Sequence, residues 1–213
     1  MSYAVKEMFL TLQGEGMQAG RRAVFLRFAG CNLWSGREAD RATAICQFCD
    51  TDFVGMDGEN GGRFTTPDEL ASAVTRLWGE EPGQRFVVIT GGEPMLQLDP
   101  PLIAALHAQN IEIAVESNGT LPAPEGIDWL CVSPKAGSDV VQRSGDELKL
   151  VWPQAGIDPA TLTAWRFTHH LVQPMDSGSE TLNAANREAA IALVLADSRW
   201  RLSTQTHKML GLK

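Results

Sequence analysis

The sequence predicts an α/β fold: a barrel-like sheet of about six parallel strands, open and incompletely wrapped, with roughly three helices. Three observations predict it. In the first half, strand-like and helix-like segments alternate, and strand–helix–strand units build parallel sheets through right-handed crossovers. Residues 86–90 (FVVIT) are apolar throughout, as a short strand covered on both faces must be. In the second half, the connections 118–128 and 134–147 are too short or too rich in Pro and Gly for helices, so the wrapping stops there.

Taken in order, residues 23–30 (AVFLRFAG) read as the first strand from their β-branched and aromatic content. Residues 55–63 (GMDGENGGR) form a Gly- and Asp-rich surface loop, in a chain too short for them to separate two full domains. Thr66, Pro67 and Glu69 have the form of a helix start, with Thr66 as cap and Glu69 reaching back to complete a capping box. Leu70, Val74, Leu77 and Trp78 then recur at helical spacing until Gly79 stops the helix. A second helix fits 100–109 and a third 186–197. Further strands fit 111–117, 129–133, 148–152 and 171–173, with 201–205 as a last one.

The chain has 213 residues, and its hydrophobic and charged shares, 44% and 21%, are those of an ordinary globular protein. One compact domain is the default at this length. Acidic side chains outnumber basic ones 26 to 18, for a net charge of −8, and no basic run exceeds Arg21-Arg22. A nucleic-acid partner is therefore not expected. The start carries Lys6 and Glu7 where a secretion signal needs an apolar run, and the longest uncharged apolar stretch, 189–196, is far short of the ~20 residues that span a bilayer. The expected setting is cytoplasmic, away from membranes, where four cysteines are better metal or catalytic candidates than disulfides.

Cys31, Gly91-Gly92, Asn118, Pro134-Lys135 and Pro174 each follow directly on a predicted strand. The C-terminal rim of a parallel sheet is where loops vary without disturbing the core, so these positions predict one site. Cys46 and Cys49 form a C-x-x-C pair, and fourteen residues separate Cys31 from Cys46. Three thiolates on such a turn suit an iron–sulfur cube with one open iron. A structural zinc site with a distant fourth ligand, and a redox C-x-x-C, are the other readings of this spacing. Cys131, inside the apolar run WLCVS, reads as a small buried hydrophobe.

Residues 90–94 (TGGEP) lack the Lys-Ser/Thr of a phosphate-binding loop. A strand-end three-cysteine motif followed one strand–helix unit later by GGEP resembles the radical S-adenosylmethionine (SAM) superfamily, whose core is a partial TIM-type barrel. LQGEG (12–16), Arg27 in FLRFAGCNL, CDT (49–51), ESNG (116–119), SPK (133–135), QPMD (173–176) and QTHK (205–208) occur in order. Together they resemble the 7-carboxy-7-deazaguanine synthase family of 7-deazapurine (queuosine) biosynthesis. One departure stands out: the superfamily's cysteine spacing is C-x3-C-x2-C, and the longer first gap here weakens the assignment of Cys31. A longer loop is cheap in entropy, about 0.6 kcal/mol per doubling, so the geometry at iron can survive it.

The resemblance implies that Cys31, Cys46 and Cys49 hold a 4Fe-4S cluster whose open iron takes the amino and carboxylate groups of SAM. One electron from a flavodoxin- or ferredoxin-type donor then cleaves SAM to methionine and a 5′-deoxyadenosyl radical. The implied substrate is 6-carboxy-5,6,7,8-tetrahydropterin, which loses hydrogen from C6, contracts its ring and releases ammonia to give 7-carboxy-7-deazaguanine. The implied substrate contacts are Leu12, Gln13, Gly14, Glu15, Arg27 and Thr90. Arg27, mid-strand, would clamp the carboxylate; its structural alternative is a buried pair with a carboxylate such as Glu15. Phe48, Gly92, Ser117, Ser133, Pro134 and Lys135 would surround SAM from one side. Gln173, Pro174, Met175 and Asp176 would do so from the other. Thr51 would ligate Mg²⁺, a hard cation that takes oxygen donors. His207 would line the site, and His169-His170 reads as a surface pair entering a strand.

The resemblance also implies a homodimer, and a single radical SAM domain over 1–213 with a substrate-binding segment at about 1–22 and a closing segment at about 198–213. Two other activities fit parts of the pattern: a glycyl-radical activase, which needs a docking surface for a large partner, and a zinc-stabilised binding module without catalysis.

Overall fold

The structure, a computed structural model, describes residues 2–213. Its strands, among the described residues, form one nine-stranded sheet in the order β3-β1-β2-β4-β5-β6-β7-β8-β9. These are β1 (Tyr3–Leu12), β2 (Arg22–Phe28), β3 (Gly62–Phe64), β4 (Arg85–Gly91), β5 (Ile111–Ser117), β6 (Trp129–Val132), β7 (Ser144–Trp152), β8 (Arg166–Pro174) and β9 (Trp200–Leu202). From β2 to β9 every neighbouring pair is parallel, while β1 pairs antiparallel with both β2 and β3. The sheet is open, in keeping with a partial barrel, and its strands outnumber the expected six because β1 and β3 add an antiparallel edge and β9 a seventh parallel strand.

β1 is the strand that composition hides. Lys6 lies within it, only 6% exposed, because Asp52 and Asp57 meet its ammonium at 2.8 and 2.7 Å. Asp57 belongs to the Gly-rich segment that reads as a surface loop, and Asp52 lies just before it. The segment is instead tied along β1: Gly58 N donates to Lys6 O, Met8 N to Glu59 O and Asn60 Nδ2 to Met8 O. It then turns into β3.

The helices α1 (Pro67–Trp78), α2 (Pro100–Ala108) and α4 (Glu180–Ala196) correspond to the three expected, α4 starting six residues early; α3 (Pro159–Leu162) and α5 (Thr206–Leu210) are one-turn additions. Thr66 Oγ1 caps α1 by accepting from Glu69 N, and Glu69 reaches back one residue further than a capping box, to Thr65 N at 2.8 Å. Asp99 caps α2. Leu70, Val74 and Trp78 of α1 and Leu102, Ile103 and Leu106 of α2 pack on the fully buried β4 run Val87–Ile89 in one apolar core. The connections β5–β6 and β6–β7 are helix-free, as expected. His169 and His170 are not a surface pair. Both lie within β8, His169 stacked on Trp129 and His170 edge-on to Trp200. No helix among the described residues is long and apolar enough to cross a membrane.

Candidate active site

A cavity of about 450 Å³ opens at the C-terminal ends of the parallel strands. It brings together every residue expected in a site except one. Pro134 packs behind the wall, buried, with its carbonyl accepting from Gln154 Nε2 at 3.3 Å.

The cysteines line one end of the cavity. Their fourteen-residue gap is closed at its base: Leu33 O accepts from both Ile45 N (3.1 Å) and Cys46 N (3.3 Å). Read across that closure, the chain runs Cys31, Asn32, Leu33, Ile45, Cys46, which restores the spacing C-x3-C. The excluded loop carries a 3₁₀ turn, Glu38–Thr43. Its Trp34 packs edge-on against Phe53, and Arg41 stacks on Trp34 while donating to the carbonyls of Gln47 and Cys49, both at 3.0 Å. A guanidinium thus braces the C-x-x-C turn. The neighbouring Cys46 and Cys49 thiols shift each other, Cys49 down and Cys46 up, and the half-buried Lys135 ammonium adds its charge beside both sulfurs. Among the described residues, no three His, Cys, Asp or Glu side chains converge on one ion-sized point. A cubane binds each thiolate through a different iron, so it needs three sulfurs facing one space, which this end of the cavity supplies.

The GGEP turn fits against them. A Cβ on Gly92 would lie 2.3 Å from Gly30 O and 2.6 Å from Cys31 Cβ, so only glycine brings the β4 turn this close to the first cysteine. Glu93 is fully buried and ties the ends of β4 and β5 together. Its carboxylate accepts from Met95 N, Ser117 Oγ and Asn118 N at 2.9, 2.8 and 2.7 Å. Burial raises its carboxyl, partly offset by these bonds.

The opposite end is polar. Arg27 on β2 sits beside Thr90 on β4 in the parallel register. Its Nε donates to Glu7 Oε1 at 3.0 Å, and among the described residues its two Nη groups have no partner. The ion partner is Glu7 rather than Glu15, because the antiparallel register of β1 on β2 sets Glu7 opposite Arg27. Glu15 instead meets Lys149 of β7, Nζ to Oε2 at 2.6 Å, and the same ammonium lies 3.4 Å from Glu116 Oε2 on β5. Gln13 Nε2 donates to Glu116 Oε1 at 2.9 Å, and Glu15 Oε1 accepts from Gln205 Nε2 at 2.9 Å. Thr206 N donates to Gly14 O, and the His207 ring fills the space a Gly14 side chain would need.

Ser133 accepts from the Lys135 ammonium through both its carbonyl and hydroxyl, at 2.7 Å each. Gln173 Oε1 accepts from Ser203 Oγ. Lys208 bridges Asp50 and Asp176, 2.7 Å from each, joining the cysteine turn to the end of β8; its hydrogen bond and two from Gly178 and Asn183 bring the Asp176 carboxyl down to about 2. Glu7 and Lys149 lie outside every motif quoted above, and Glu116 and Lys208 lie in ESNG and QTHK with no role assigned to them there. For two of them a signal exists: Glu116 in IEIAVES and Lys149 in ELKLVW interrupt apolar strands with a charge that only a polar site compensates.

Residues 40–146 match the Radical SAM superfamily. That match takes in Cys46 and Cys49 and begins beyond Cys31, inside the long loop. Over 100% of both chains, the sequence is 60% identical to the 7-carboxy-7-deazaguanine synthase of Caulobacter vibrioides and 57% identical to that of Bordetella pertussis. The crystal structure of QueE from Escherichia coli superposes with a TM-score of 0.72 at 25% identity, covering 97% of this chain and 95% of that one. With full-length identity at this level and a three-cysteine cavity at the rim of a partial barrel, the chain belongs to the 7-carboxy-7-deazaguanine synthase family of radical SAM enzymes.

Proposed function

We propose that the protein converts 6-carboxy-5,6,7,8-tetrahydropterin to 7-carboxy-7-deazaguanine with release of ammonia. The observation that carries this is the polarity of one cavity: three cysteines at one end and, at the other, a guanidinium with two open Nη donors above a floor of Gln13, Glu15 and Glu116. Cys31, Cys46 and Cys49 would hold the 4Fe-4S cluster. Phe48, Gly92, Ser117, Ser133, Lys135, Gln173, Pro174, Met175 and Asp176 would hold SAM. With both bound and one electron delivered by a flavodoxin- or ferredoxin-type donor, the site gains the 5′-deoxyadenosyl radical that starts the reaction.

The rest is done by the chain. Glu7 fixes the Arg27 guanidinium through Nε, leaving the planar fork for the substrate carboxylate. Thr90, Leu12 and Gly14 border the ring, and Gln13 and Glu15 read its aminopyrimidinone edge. Residues 1–22 form the substrate side, and 198–213 close over it through Gln205, His207 and Lys208, within one domain of a cytoplasmic homodimer. Thr51 lines the cavity two residues after Cys49 and supplies a hard oxygen for Mg²⁺ beside the substrate.

Anaerobic reconstitution followed by incubation with SAM, reductant, Mg²⁺ and the carboxylated pterin tests the reading. The deazapurine product is the expected result, and SAM cleavage without it overturns the substrate. Arg27→Lys replaces a fork by a point charge and is expected to raise the substrate KM roughly tenfold to a hundredfold with SAM binding unchanged. Equal losses in both remove the clamp. Omitting Mg²⁺ is expected to slow wild-type turnover and leave Thr51→Ala nearly unaffected; a wild-type rate indifferent to Mg²⁺ removes that role.

A further inference from the structure

Among the described residues, Lys149 is the one buried ammonium that meets the carboxylates of the substrate end of the cavity, and nothing in the reaction as described uses it. Its neighbours on β7, Leu148 and Leu150, are fully buried in the apolar core, while Lys149 points to the opposite face and lines the cavity. Its side chain is 5% exposed. Around it stand Glu15 after β1, Glu116 on β5, Cys131 on β6, Glu147 on its own strand and Lys135 beyond β6. Of these, Glu147 is taken up elsewhere, accepting from Met17 N at 2.9 Å and from the Cys131 thiol at 3.4 Å. Glu15 and Glu116 are the two carboxylates within 3.4 Å of its Nζ.

A buried cation between two carboxylates is a poor device for stability, since apolar side chains of the same volume usually do as well or better. Here each member also reaches the cavity. Gln205 and Gln13 each donate one hydrogen bond to a carboxylate oxygen, which leaves further acceptor capacity facing inward.

We propose that Lys149 is a positioning residue of the substrate floor: one ammonium orients Glu15 and Glu116 together, so that they accept the N–H donors of a guanidine-like ring edge. With two carboxylates and one ammonium, the triplet carries one net negative charge. That complements a donor-rich edge and disfavours a ring that presents only acceptors there. The inference rests on the proposed pterin reaction for the identity of the occupant and not for the state of the carboxylates. Burial by itself raises the Glu15 carboxyl; the Lys149 charge, with hydrogen bonds from Lys149, Gln205 and Gln173, outweighs it and holds the group well below its ordinary value. Without the cation, the partly buried Glu15 carboxyl faces Glu116 with nothing to offset its charge, and it rises.

Lys149→Met removes the charge at nearly constant volume, and Lys149→Arg keeps it. In reconstituted full-length enzyme, Lys149→Met is expected to raise the substrate KM roughly tenfold, with kcat and substrate-free SAM cleavage nearly unchanged. The sign of the pH effect is fixed: raising the carboxyl pKa makes the protonated form grow as pH falls. KM of Lys149→Met therefore climbs from pH 8 to pH 6, while wild type and Lys149→Arg stay flat. Infrared spectra of the substrate-free protein at pH 7 give a second reading, a protonated-carboxyl stretch in Lys149→Met that is absent from wild type and lost when Glu15→Gln is added. Lys149→Gln, which keeps an N–H donor without the charge, gives both readings if the Met variant does not fold. A pH-independent KM, equal loss of SAM cleavage, or no carboxyl band overturns the proposal. Failure of wild type to turn over the carboxylated pterin overturns the proposed function, and the infrared result still decides this one.

Discussion

Glu93→Ala is expected to lower the stability of the protein by about 3 to 5 kcal/mol and Tm by roughly 10 °C, with loss of cluster assembly at the growth temperature of a mesophile. The carboxylate is fully buried and takes three hydrogen bonds, from Met95 N, Ser117 Oγ and Asn118 N. Truncation leaves all three donors without an acceptor in a cavity that water enters only partly, and each orphan costs about 1 to 3 kcal/mol. The damage extends beyond stability. Glu93 N also donates to Gly30 O at 3.0 Å, so the same residue holds the β4 turn against the Cys31 turn. Alanine keeps that backbone bond but loses the carboxylate that ties the turn to Ser117 and Asn118, so the Gly30 contact is left to hold the β4 turn against the Cys31 turn. Glu93→Gln keeps one acceptor oxygen and sets an amide N–H₂ against a hydroxyl or an amide N–H, so it is expected to fall between wild type and alanine. Thermal unfolding of the purified variants, with iron and sulfide analysis after reconstitution, checks both parts. A Glu93→Ala protein that melts within about 2 °C of wild type removes the tether argument.

What the sequence makes legible here is local. Thr66-Pro67, Gly79 and the apolar run 86–90 announce α1 and β4 because caps and covered strands are written in adjacent residues. β1 is not legible. Lys6 and Glu7 look like surface charges until Asp52 and Asp57 arrive from the following loop and Arg27 and Lys213 from elsewhere in the chain. The same distance hides part of the site. Motifs such as GGEP and C-x-x-C carry their own geometry, whereas the partner of Arg27 depends on a strand register that only the fold sets. Had β1 been recognised, its antiparallel pairing would have put Glu7 opposite Arg27 and left Glu15 for Lys149. The early starts of β7 and β8 are hidden for a related reason. Their first residues, Ser144–Glu147 and Arg166–His170, are polar apart from Gly145 and Phe167 and gain their strand character from each other across the ladder.

Cys31→Ala is expected to abolish iron uptake outright, while excising residues 34–44 so that Leu33 joins Ile45 is expected to leave iron and sulfide content at the wild-type level. The pair separates two explanations of the long first gap. In one, the loop is part of the ligand geometry. In the other, it is an insertion that the fold has already bypassed. The bonds from Ile45 N and Cys46 N to Leu33 O favour the second, because across them the motif reads C-x3-C-x2-C. Leu33 N lies 3.4 Å from Cys31 Sγ, so the residue that closes the loop also touches the first ligand. The excision removes Arg41, which donates to the carbonyls of Gln47 and Cys49, and the Trp34 edge on Phe53. The turn that remains is expected to lose its cluster faster in air, since fewer bonds oppose its opening. Visible absorbance after anaerobic reconstitution measures assembly, and its decay under oxygen measures the brace. A colourless excision variant that is folded by circular dichroism means the loop sets the position of Cys46 itself. A coloured Cys31→Ala variant means that the third thiolate comes from elsewhere, and Cys131 cannot supply it: the residue is 3% exposed and its thiol donates to Glu147 Oε1.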